Sequence, residues 1–531
     1  MPPHEVFTDE ERATLSRFVT DVDAPVFALV NLPETTKGAL FARYSRYPGT
    51  LRRLLLDEFA EELPVQTAPH PQLEGGRAAD LYDRVFLGYG DDSVAQLGGA
   101  HIACEWVSNV MTKVLQRPRL AAYLEQSTRY IAYDRPMPDG RHRYYRSAEL
   151  GTSYEQAMDH LFDTYASLLP TLSAWLAERF PAEHEQPAAA HARAIKAKTL
   201  DLLRGLLPAA SLSHVGIYAS GQTFEQLILH LLAHPLPEAR DCGEMMLSAM
   251  KVVMPSFVAR VERPDRGGQW IESLRARARS AAAVTARLGL DADAGEERAG
   301  VRLLHVEGSE ELLLAALLFE ASGLGEEAIG LQLQQLGAED RARIIAELVG
   351  PRSNRRHRPG RGFEALRYRF EIVSDYGAFR DLQRHRMLTV QWQQLGPHLG
   401  ADVPKELDAA GCGDRYRSAL ERSRETWQEL NDTGRQEHAP YALCLAFRIR
   451  YILDLNAREA MHLIELRSGR EGHSSYRSIA LEMHRLIGTV HPAVAAAMTH
   501  LDTAAEPRLE RMLSEIASER RRSEPDPASG R

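Results

Sequence analysis

The strongest constraint on the fold is an arginine motif that occurs twice, about half a chain apart. Arg117-Pro118-Arg119 follows Val114-Leu115-Gln116, and Arg384-His385-Arg386 follows Asp381-Leu382-Gln383. Two guanidinium groups one residue apart at a helix end suit phosphate oxygens, because each can donate two parallel hydrogen bonds and keeps its charge at physiological pH. The motif therefore predicts a tandem duplication and a phosphorylated ligand.

Composition excludes several classes of protein. The chain has 531 residues, of which 44% are hydrophobic and 26% charged, so it can bury the cores of two or three domains. The formal net charge of -9 gives no general attraction to nucleic acid or to anionic membranes. Phosphate binding must then come from local clusters, and we predict neither a nucleic-acid partner nor a membrane partner.

The cysteines and the chain start predict a cytoplasmic protein. Cys104, Cys242, Cys412 and Cys444 form no C-x-x-C pair, which argues against a disulfide framework and a structural zinc site. The first residues contain no basic region followed by an apolar stretch, and no run approaches the roughly 18 apolar residues of a membrane span. His230 and His234 lack a third ligand, so no metal site is predicted.

Matching patterns at both ends of each repeat define the modules. Segments 26–46 and 301–320 both read as a strand followed by a helix, and Leu227-Ile228 and Leu463-Ile464 hold matching places in amphipathic helices. We predict a first module at 20–262, a partly helical linker at 263–299, a second module at 300–505 and a polar tail at 506–531. The end of that tail is predicted to be disordered because of its proline-rich, polar composition.

The segment before the first motif predicts a long helix. Gly90-Asp91-Asp92-Ser93-Val94 precedes an apolar run in which Leu97, Cys104, Val107, Val110 and Val114 recur at helical spacings. That helix would deliver Arg117 to its C-terminal end, where Pro118 stops helical geometry.

The first repeat resembles the flavin-dependent thymidylate synthases, whose signature is R-H-R, seven residues, then Ser, usually within R-H-R-x-x-S-x-N-E-x-S-x-R-Y. Pro118 replaces the histidine and Ala122 the earlier serine. Residues 90–96 resemble the family's G-H-x-S-x-x-E, and Arg204-Gly-Leu-Leu207-Pro208 resembles its A-R-x-x-L-P segment. The matching positions of the signature are Arg117, Arg119, Glu125, Ser127, Arg129 and Tyr130.

The second repeat keeps what the first has lost. Arg384-His385-Arg386 is intact and Thr389 stands for the first serine, whereas Gln394 and Gly396 replace the second serine and the arginine after it. Asn456-Ala457-Arg458 and Leu466-Arg467 resemble the family's N-x-R and L-R segments. Asn456 also lies three residues before Glu459 at a predicted helix start, so an N-cap is about as good an interpretation as a flavin contact.

The resemblance implies a fold, a reaction and a composite site. It implies an α+β fold of two homologous modules, each a mixed or antiparallel sheet flanked by long helices. It implies reductive methylation of dUMP to dTMP, with FAD as cofactor and NADPH and methylenetetrahydrofolate as co-substrates, so the flavin carries the redox chemistry and no side chain is assigned a catalytic role. Because the family builds its site between subunits of a homotetramer, a homodimer of this chain would act as a pseudo-tetramer.

The resemblance also implies a role for each matching residue. The cofactor-binding residues would be Arg117, Arg119, Arg384, His385, Arg386, Asn456 and Arg458. The residues that bind the dUMP-like nucleotide would be Glu125, Ser127, Arg129, Arg204 and Arg467. The first repeat would supply Arg117, Arg119, Glu125, Ser127, Arg129 and Arg204, and the second would supply Asn456, Arg458 and Arg467.

Two other classes of function compete with the enzyme. One is a catalytically degenerate relic of the synthase fold that keeps a nucleotide pocket or serves as a scaffold, and flavin uptake by the purified protein would discriminate the two. The other is an RNA-binding protein that uses the arginine-rich stretches, which the acidic net charge and the lack of interleaved aromatic residues disfavour. The arginines could also be surface charges at helix ends.

Overall fold

The computed structural model describes residues 5–60, 63, 95–137, 139–183, 187–290 and 297–504, together with 508, 509, 511, 512, 515–517 and 519. These residues form two four-stranded antiparallel sheets flanked by helices, with the same strand order, β1-β2-β4-β3 and β5-β6-β8-β7. This confirms the α+β fold of two homologous modules. The strands are β1 (Val26–Ala28), β2 (Gly99–Ser108), β3 (Ala121–Glu125), β4 (Leu212–Ser220), β5 (Gly300–Glu307), β6 (Arg367–Asp375), β7 (Thr389–Trp392) and β8 (Arg448–Asn456).

The chain divides into two compact units, each made of three segments. Unit 1 takes residues 1–166, 207–293 and 421–443, and unit 2 takes residues 167–206, 294–420 and 444–531. Each unit thus includes one internal segment from the repeat that supplies most of the other. The module boundaries predicted above describe the sequence repeats and stay a prediction.

The helices follow the same division. Unit 1 contains Asp9–Leu15, Glu34–Tyr44, Leu51–Phe59, Asn109–Leu115, Gly221–Ala233, Pro237–Val253, Pro255–Val258 and Gln269–Arg287. Unit 2 contains Ala188–Leu203, Glu310–Leu318, Glu326–Leu333, Ala338–Val349, Tyr376–Leu382, Lys405–Ala409, Ala457–Arg467, Ser474–Val490 and Pro492–Ala496. Gly151–Arg179 and Gly413–Asp432 have residues in both units. Within the described ranges, no helix is both long and apolar enough to cross a membrane.

Backbone hydrogen bonds tie each exchanged segment to the unit it joins. In unit 1, Ala210 N donates to Tyr441 O at 3.2 Å. In unit 2, Ala446 N donates to Gly205 O at 2.9 Å. The two bonds occupy corresponding places before β4 and β8, so the exchange is reciprocal.

The sheet registers of the two repeats match at the ends of β4 and β8. Ser220 at the end of β4 pairs with Gly99, and Asn456 at the end of β8 pairs with Arg367. Both residues then cap the next helix, Ser220 accepting from Thr223 N and Asn456 from Glu459 N. The openings also match the sequence prediction, because β1 leads to Glu34–Tyr44 and β5 leads to Glu310–Leu318.

The predicted long helix before Arg117 is wrong. Gly99–Ser108 forms β2, and only Asn109–Leu115 is helical. An apolar run of this length fits a buried strand as well as a helix, and β2 lies between β1 and β4 with almost every residue buried. The short helix still ends just before Arg117, as the sequence indicates. Residues 90–94 lie outside the described part of the chain.

One irregularity distinguishes β2 from its counterpart β6. The β2–β4 register shifts between Cys104 and Val107, whereas the β6–β8 register runs without a shift. The bulge contains Trp106 with φ of 56°, a left-handed conformation that is rare for a bulky side chain. An outlier of this kind persists only where surrounding contacts hold it.

A buried ion pair anchors this bulge. Glu105, 1% exposed, binds Arg52 Nη2 at 2.7 Å and accepts from Leu51 N at 2.6 Å. Burial raises the pKa of Glu105, while Arg52 opposes that rise. The charge is tolerated because its oxygens are paired and hydrogen-bonded.

We expect Glu105→Ala to lower the free energy of unfolding by about 3–5 kcal/mol, because it leaves Arg52 buried without its counter-charge. Urea denaturation followed by circular dichroism measures the loss. The control is Asp23→Ala, which breaks the exposed Arg12–Asp23 pair (41% and 57% exposed) and should cost less than about 1 kcal/mol. Equal losses in the two variants would contradict the assigned role of the buried pair.

Candidate functional site

The predicted site residues fall into both units. Unit 1 holds Arg117, Arg119, Glu125, Ser127 and Arg129. Unit 2 holds Arg384, His385, Arg386, Asn456, Arg458 and Arg467, and it also holds Arg204, which belongs to the first repeat by sequence. The segment exchange therefore places Arg204 in the unit that holds the second-repeat residues, while the composite site itself stays a prediction.

In unit 1, Glu125 is engaged by its own module. Its Oε2 lies 3.0 Å from Lys113 Nζ and accepts from Gln116 Nε2 at 2.9 Å, and all three side chains are buried. Trp392 holds the corresponding place at the end of β7 and cannot make this pair. The carboxylate thus fastens the end of β3 to the helix before Arg117.

The rest of the first-repeat motif lies nearer to solvent. Arg117 and Arg119 are exposed, and Ser127 and Arg129 are half-buried. The Ser127 hydroxyl accepts from Arg129 N at 3.3 Å, which makes a local turn after β3. The pKa of His234 depends in part on Arg117. Burial is the main cause that lowers this pKa to about 4, and the positive charges of Arg117 and Arg240 lower it as well.

In unit 2, the motif histidine is fixed in one neutral form. Arg467 Nε donates to His385 Nε2 at 3.0 Å, so the ring proton is on Nδ1, which lies 2.9 Å from Glu459 Oε1. Burial, followed by Arg467 and Arg358, lowers the pKa of His385 well below its usual value. His385 is therefore a neutral side chain whose two nitrogens are both occupied.

His462 completes a buried cluster with His385 and Glu459. One ligand-type atom from each residue lies within 4.8 Å of the others, a spacing that would suit a metal ion. The surrounding charges oppose a cation, because Arg358, Arg458 and Arg386 all act on Glu459. His462 Nε2 is buried and has no hydrogen-bond partner among the described residues. Burial lowers the pKa of His462 to about 4, so its ring is neutral. The arginines around Glu459, rather than the histidines, favour an anionic or neutral polar ligand over a metal.

Asn456 and Arg458, which the resemblance assigns to the cofactor, both make contacts within the protein. Asn456 accepts from Glu459 N at 2.9 Å, which confirms the N-cap interpretation. Arg458 Nε donates to Pro359 O at 3.0 Å, and its Nη1 lies 3.5 Å from Glu364. The Arg458 side chain is 30% exposed to solvent.

Arg204 is the most deeply buried arginine among the predicted site residues. It is 4% exposed and binds Asp381 Oδ2 through Nη1 at 3.2 Å, while Arg384 lies 3.6 Å from the other Asp381 oxygen. Arg204 Nη2 is buried and makes no hydrogen bond within the described part of the chain. An unpaired buried donor of this kind costs about 1–3 kcal/mol, more where it is charged.

A cavity of about 830 Å³ in unit 2 is lined by two basic and five acidic residues, together with His473 and Ser475; the basic residues are Arg204 and Lys405, and the acidic ones are Asp201, Asp375, Asp402, Glu406 and Glu482. Asp375 accepts from Ala378 N at 2.8 Å and from the Ser475 hydroxyl, and burial raises its pKa against the pull of Arg204. A Cβ at Gly377 would lie 2.8 Å from Asp375 Oδ1 and 3.1 Å from Arg204 Nη2. Glycine is thus needed for the close approach of these two side chains.

Several residues of the candidate site could not be identified from the sequence. Asp381, Asp375 and Lys113 match no motif, and their roles depend on partners distant in sequence. Glu459 has one signal, its place three residues after Asn456, and His462 lies on the same helix.

Comparison with known proteins identifies the class. The Thy1 family model, described as thymidylate synthase complementing protein, matches residues 51–256 and 305–493, one match for each repeat. The chain belongs to this family, as a tandem duplication of its domain. It is 38% identical to a UPF0159 protein of Chlamydia pneumoniae over 92% of this chain and 94% of that one, and 36% identical to a UPF0159 protein of Chlamydia muridarum over 93% and 96%.

Two further proteins show weaker similarity to this chain. A UPF0159 protein of Thermoplasma acidophilum is 29% identical over 90% of this chain and 98% of its own length. Among solved structures, a UMP/dUMP methylase PolB from Streptomyces cacaoi bound with 5-Br dUMP is 18% identical, with a TM-score of 0.32 over 40% of this chain and 99% of that chain.

We expect Arg117→Gln to raise the pKa of His234, because it removes a neighbouring positive charge that lowers it. Inorganic phosphate bound at Arg117 should act in the same direction. NMR titration of the His234 ring measures both effects, with Arg12→Gln as the control. An unchanged titration curve for Arg117→Gln would contradict the coupling.

The same shift sets a pH dependence of stability. The folded pKa of about 4 lies below the ordinary 6.5, so the stability that neutral His234 contributes is complete above pH 6.5 and falls as pH drops toward 4. Arg117→Gln should shrink that loss. Thermal unfolding between pH 7 and pH 4 measures it.

Proposed function

We propose that this protein methylates a uracil nucleotide, converting dUMP to dTMP with methylenetetrahydrofolate and NADPH. The observation that carries the proposal is Arg204, which lines a cavity of about 830 Å³ and whose buried Nη2 has no hydrogen-bond partner in the described part of the chain. A phosphate or carbonyl oxygen of the nucleotide would satisfy this donor. The volume lies within the range of small-molecule pockets.

A second feature of the same cavity favours an anion. Ser474 and Ser475 line it, and they begin the helix Ser474–Val490. His473 Nδ1 already accepts from Ser475 N at 3.2 Å, so the dipole of the helix N-terminus, rather than that N–H group, would attract phosphate. Arg204 and this helix end could hold a phosphate group from two sides, which supports a monophosphate as the ligand.

FAD is the proposed cofactor, and the residues of unit 2 fit its polar groups. Arg384 and Arg386 follow the helix Tyr376–Leu382, and Arg386 is exposed, so these guanidinium groups and Arg458 would hold the pyrophosphate. The buried Nε2 of His462 offers an unused nitrogen to a polar edge of the flavin. When bound, the flavin supplies the hydride transfer, while the protein supplies position and charge.

The remaining assignments are extensions of this proposal. Arg117, Arg119 and Asn456 would contact the cofactor, and Glu125, Ser127, Arg129 and Arg467 the nucleotide. Two copies of the chain would form the complete assembly. The free state of all four cysteines is consistent with a reducing cytoplasm.

Two observations favour the alternative, a nucleotide-binding relic without turnover. Glu125 is committed to a buried pair with Lys113, and the Asn456 side chain serves as a helix cap. Either group would have to leave its structural partner to contact a ligand. A relic would bind dUMP without producing dTMP.

We expect Arg204→Ala to weaken dUMP binding about 10- to 100-fold, because it removes a charged hydrogen-bond donor from the cavity. Isothermal titration with dUMP measures this, and chromatography of dTMP formed with FAD, NADPH and methylenetetrahydrofolate measures turnover. The control Arg343→Ala removes an arginine that is 75% exposed.

The outcomes separate the possibilities. Loss of both binding and dTMP in Arg204→Ala alone supports the enzyme. Binding without dTMP in the unmodified protein supports the relic. A dUMP isotherm unaffected by Arg204→Ala would remove this cavity from the site.

A further inference from the structure

The first repeat covers the two helices that follow β1. The helices Glu34–Tyr44 and Leu51–Phe59 contribute to one buried core cluster together with Phe7, Leu15 and Phe18. These three residues precede β1 in the chain, and Leu15 ends a short helix. An N-terminal segment therefore shields the apolar side of this helix pair from water.

The matching helix pair of the second repeat, Glu310–Leu318 and Glu326–Leu333, is open. Residues of both helices line a groove of about 640 Å³. Leu312 and Leu331 line this groove and are 39% and 58% exposed, and Phe319, directly after the first helix, is exposed as well. Clustered apolar surface of this kind marks an interaction site. Within the described part of the chain, the groove lacks the cover that its counterpart has in unit 1.

The rim of the groove is acidic, and we call this surface the acidic groove. Glu311, Glu326 and Glu327 line it, together with Arg341. Arg341 is paired with Glu311 at 2.9 Å. Glu326 and Glu327 are exposed, and neither is paired with another described residue. The groove therefore favours a partner that combines apolar and positively charged side chains.

Unit 1 presents a helix with both properties, Gln269–Arg287, none of whose residues is buried. It contains four arginines and one glutamate, so its charge is opposite to that of the acidic groove. Trp270, Arg277 and Val284 recur every seven residues, which places them on one side of the helix, and Leu288 continues that side where the helix ends. All four side chains are exposed, Trp270 by 43%.

We propose that the helix Gln269–Arg287 of one copy of this chain docks into the acidic groove of a second copy. The apolar side of the helix would cover the leucines of the groove, and Arg277 would face Glu326 and Glu327. An amphipathic helix in an apolar groove is a recurring mode of recognition. Two copies related by a twofold axis make the contact twice, which closes the assembly as a dimer.

The choice of a second copy as the partner rests on charge and shape together. Both complementary surfaces belong to the same chain, and their opposite charges would steer two copies toward each other. Unpaired carboxylates at the rim of an apolar groove would repel an acidic partner. The interface goes beyond the proposed function, because it needs neither a nucleotide nor a cofactor.

Sedimentation velocity of the full-length protein over a range of concentrations tests the interface. We expect a dimer whose dissociation constant rises about 10- to 100-fold in Arg277→Glu, because the reversed charge meets the acidic groove twice in each dimer. Combining Arg277→Glu with Glu326→Arg and Glu327→Arg should restore most of the affinity. The control Arg279→Glu reverses an exposed arginine on the opposite side of the same helix and should dimerise normally.

A second variant tests the groove without changing a charge. Gly330 lines the acidic groove, and a Cβ there would meet no atom within 4 Å. Gly330→Gln should therefore keep the fold, as circular dichroism would verify, and fill space that the partner helix needs, so that dimerisation weakens by a similar factor. The control is Gly323→Gln, because Gly323 has equally open surroundings but does not line the groove.

The outcomes separate this interface from the proposed function. A monomer in the unmodified protein, or a dimer that Arg277→Glu and Gly330→Gln leave unchanged, would overturn the inference, even if dUMP is methylated. Weaker dimerisation in both variants, with recovery in the charge-swapped protein, would support it, even if no dTMP forms.

Discussion

The architecture depends on the backbone hydrogen bonds that join each exchanged segment to its unit. Ala210 N to Tyr441 O in unit 1 and Ala446 N to Gly205 O in unit 2 are made by main-chain atoms alone. Such bonds constrain the path of the chain. The side chains here are constrained as well, because Ala210 and Ala446 are buried and a Cβ at Gly205 would clash with the Tyr416 hydroxyl. The same exchange places Arg204, encoded in the first repeat, among the buried residues of unit 2.

Duplication removes a restriction that a symmetric oligomer imposes. In a homo-oligomer every copy of a site carries the same residues, so each residue must suit every place it occupies. In unit 1, Ser108 on β2 bonds to Glu238 on the helix Pro237–Val253. In unit 2, the corresponding strand and helix carry Asp375 and Ser475, so the acid and the hydroxyl have changed places.

The features that could be predicted from the sequence are those set by residues close together in the chain. The strand-then-helix openings and the Asn456 cap follow from short patterns, and the structure confirms them. The long helix before Arg117 is wrong because a buried central strand and a buried helix share the same apolar composition over a short run. Whether β2 is a strand depends on β1 and β4, which lie far away in the sequence.

The candidate site could be predicted only in part, for a related reason. Sequence motifs mark Arg204 and His385, but not the partners that set their state. Asp381 holds Arg204, and Glu459 and Arg467 fix the proton of His385, through contacts that exist only in the folded chain. The segment exchange could not be predicted either, since it depends on contacts between residues far apart in the sequence, such as Arg204 with Asp381 and Tyr441 with Glu238.

An acidic protein can still offer strong phosphate sites if its cations are concentrated. The chain has a net charge of -9, yet Arg358, Arg386 and Arg458 all act on the single carboxylate of Glu459. Burial keeps His385 and His462 neutral beside them, so the histidines add no repulsion between cations and keep their lone pairs for hydrogen bonding. Glu459 and Glu364 offset part of this positive charge within the chain, and the anionic ligand proposed for unit 2 would offset more of it.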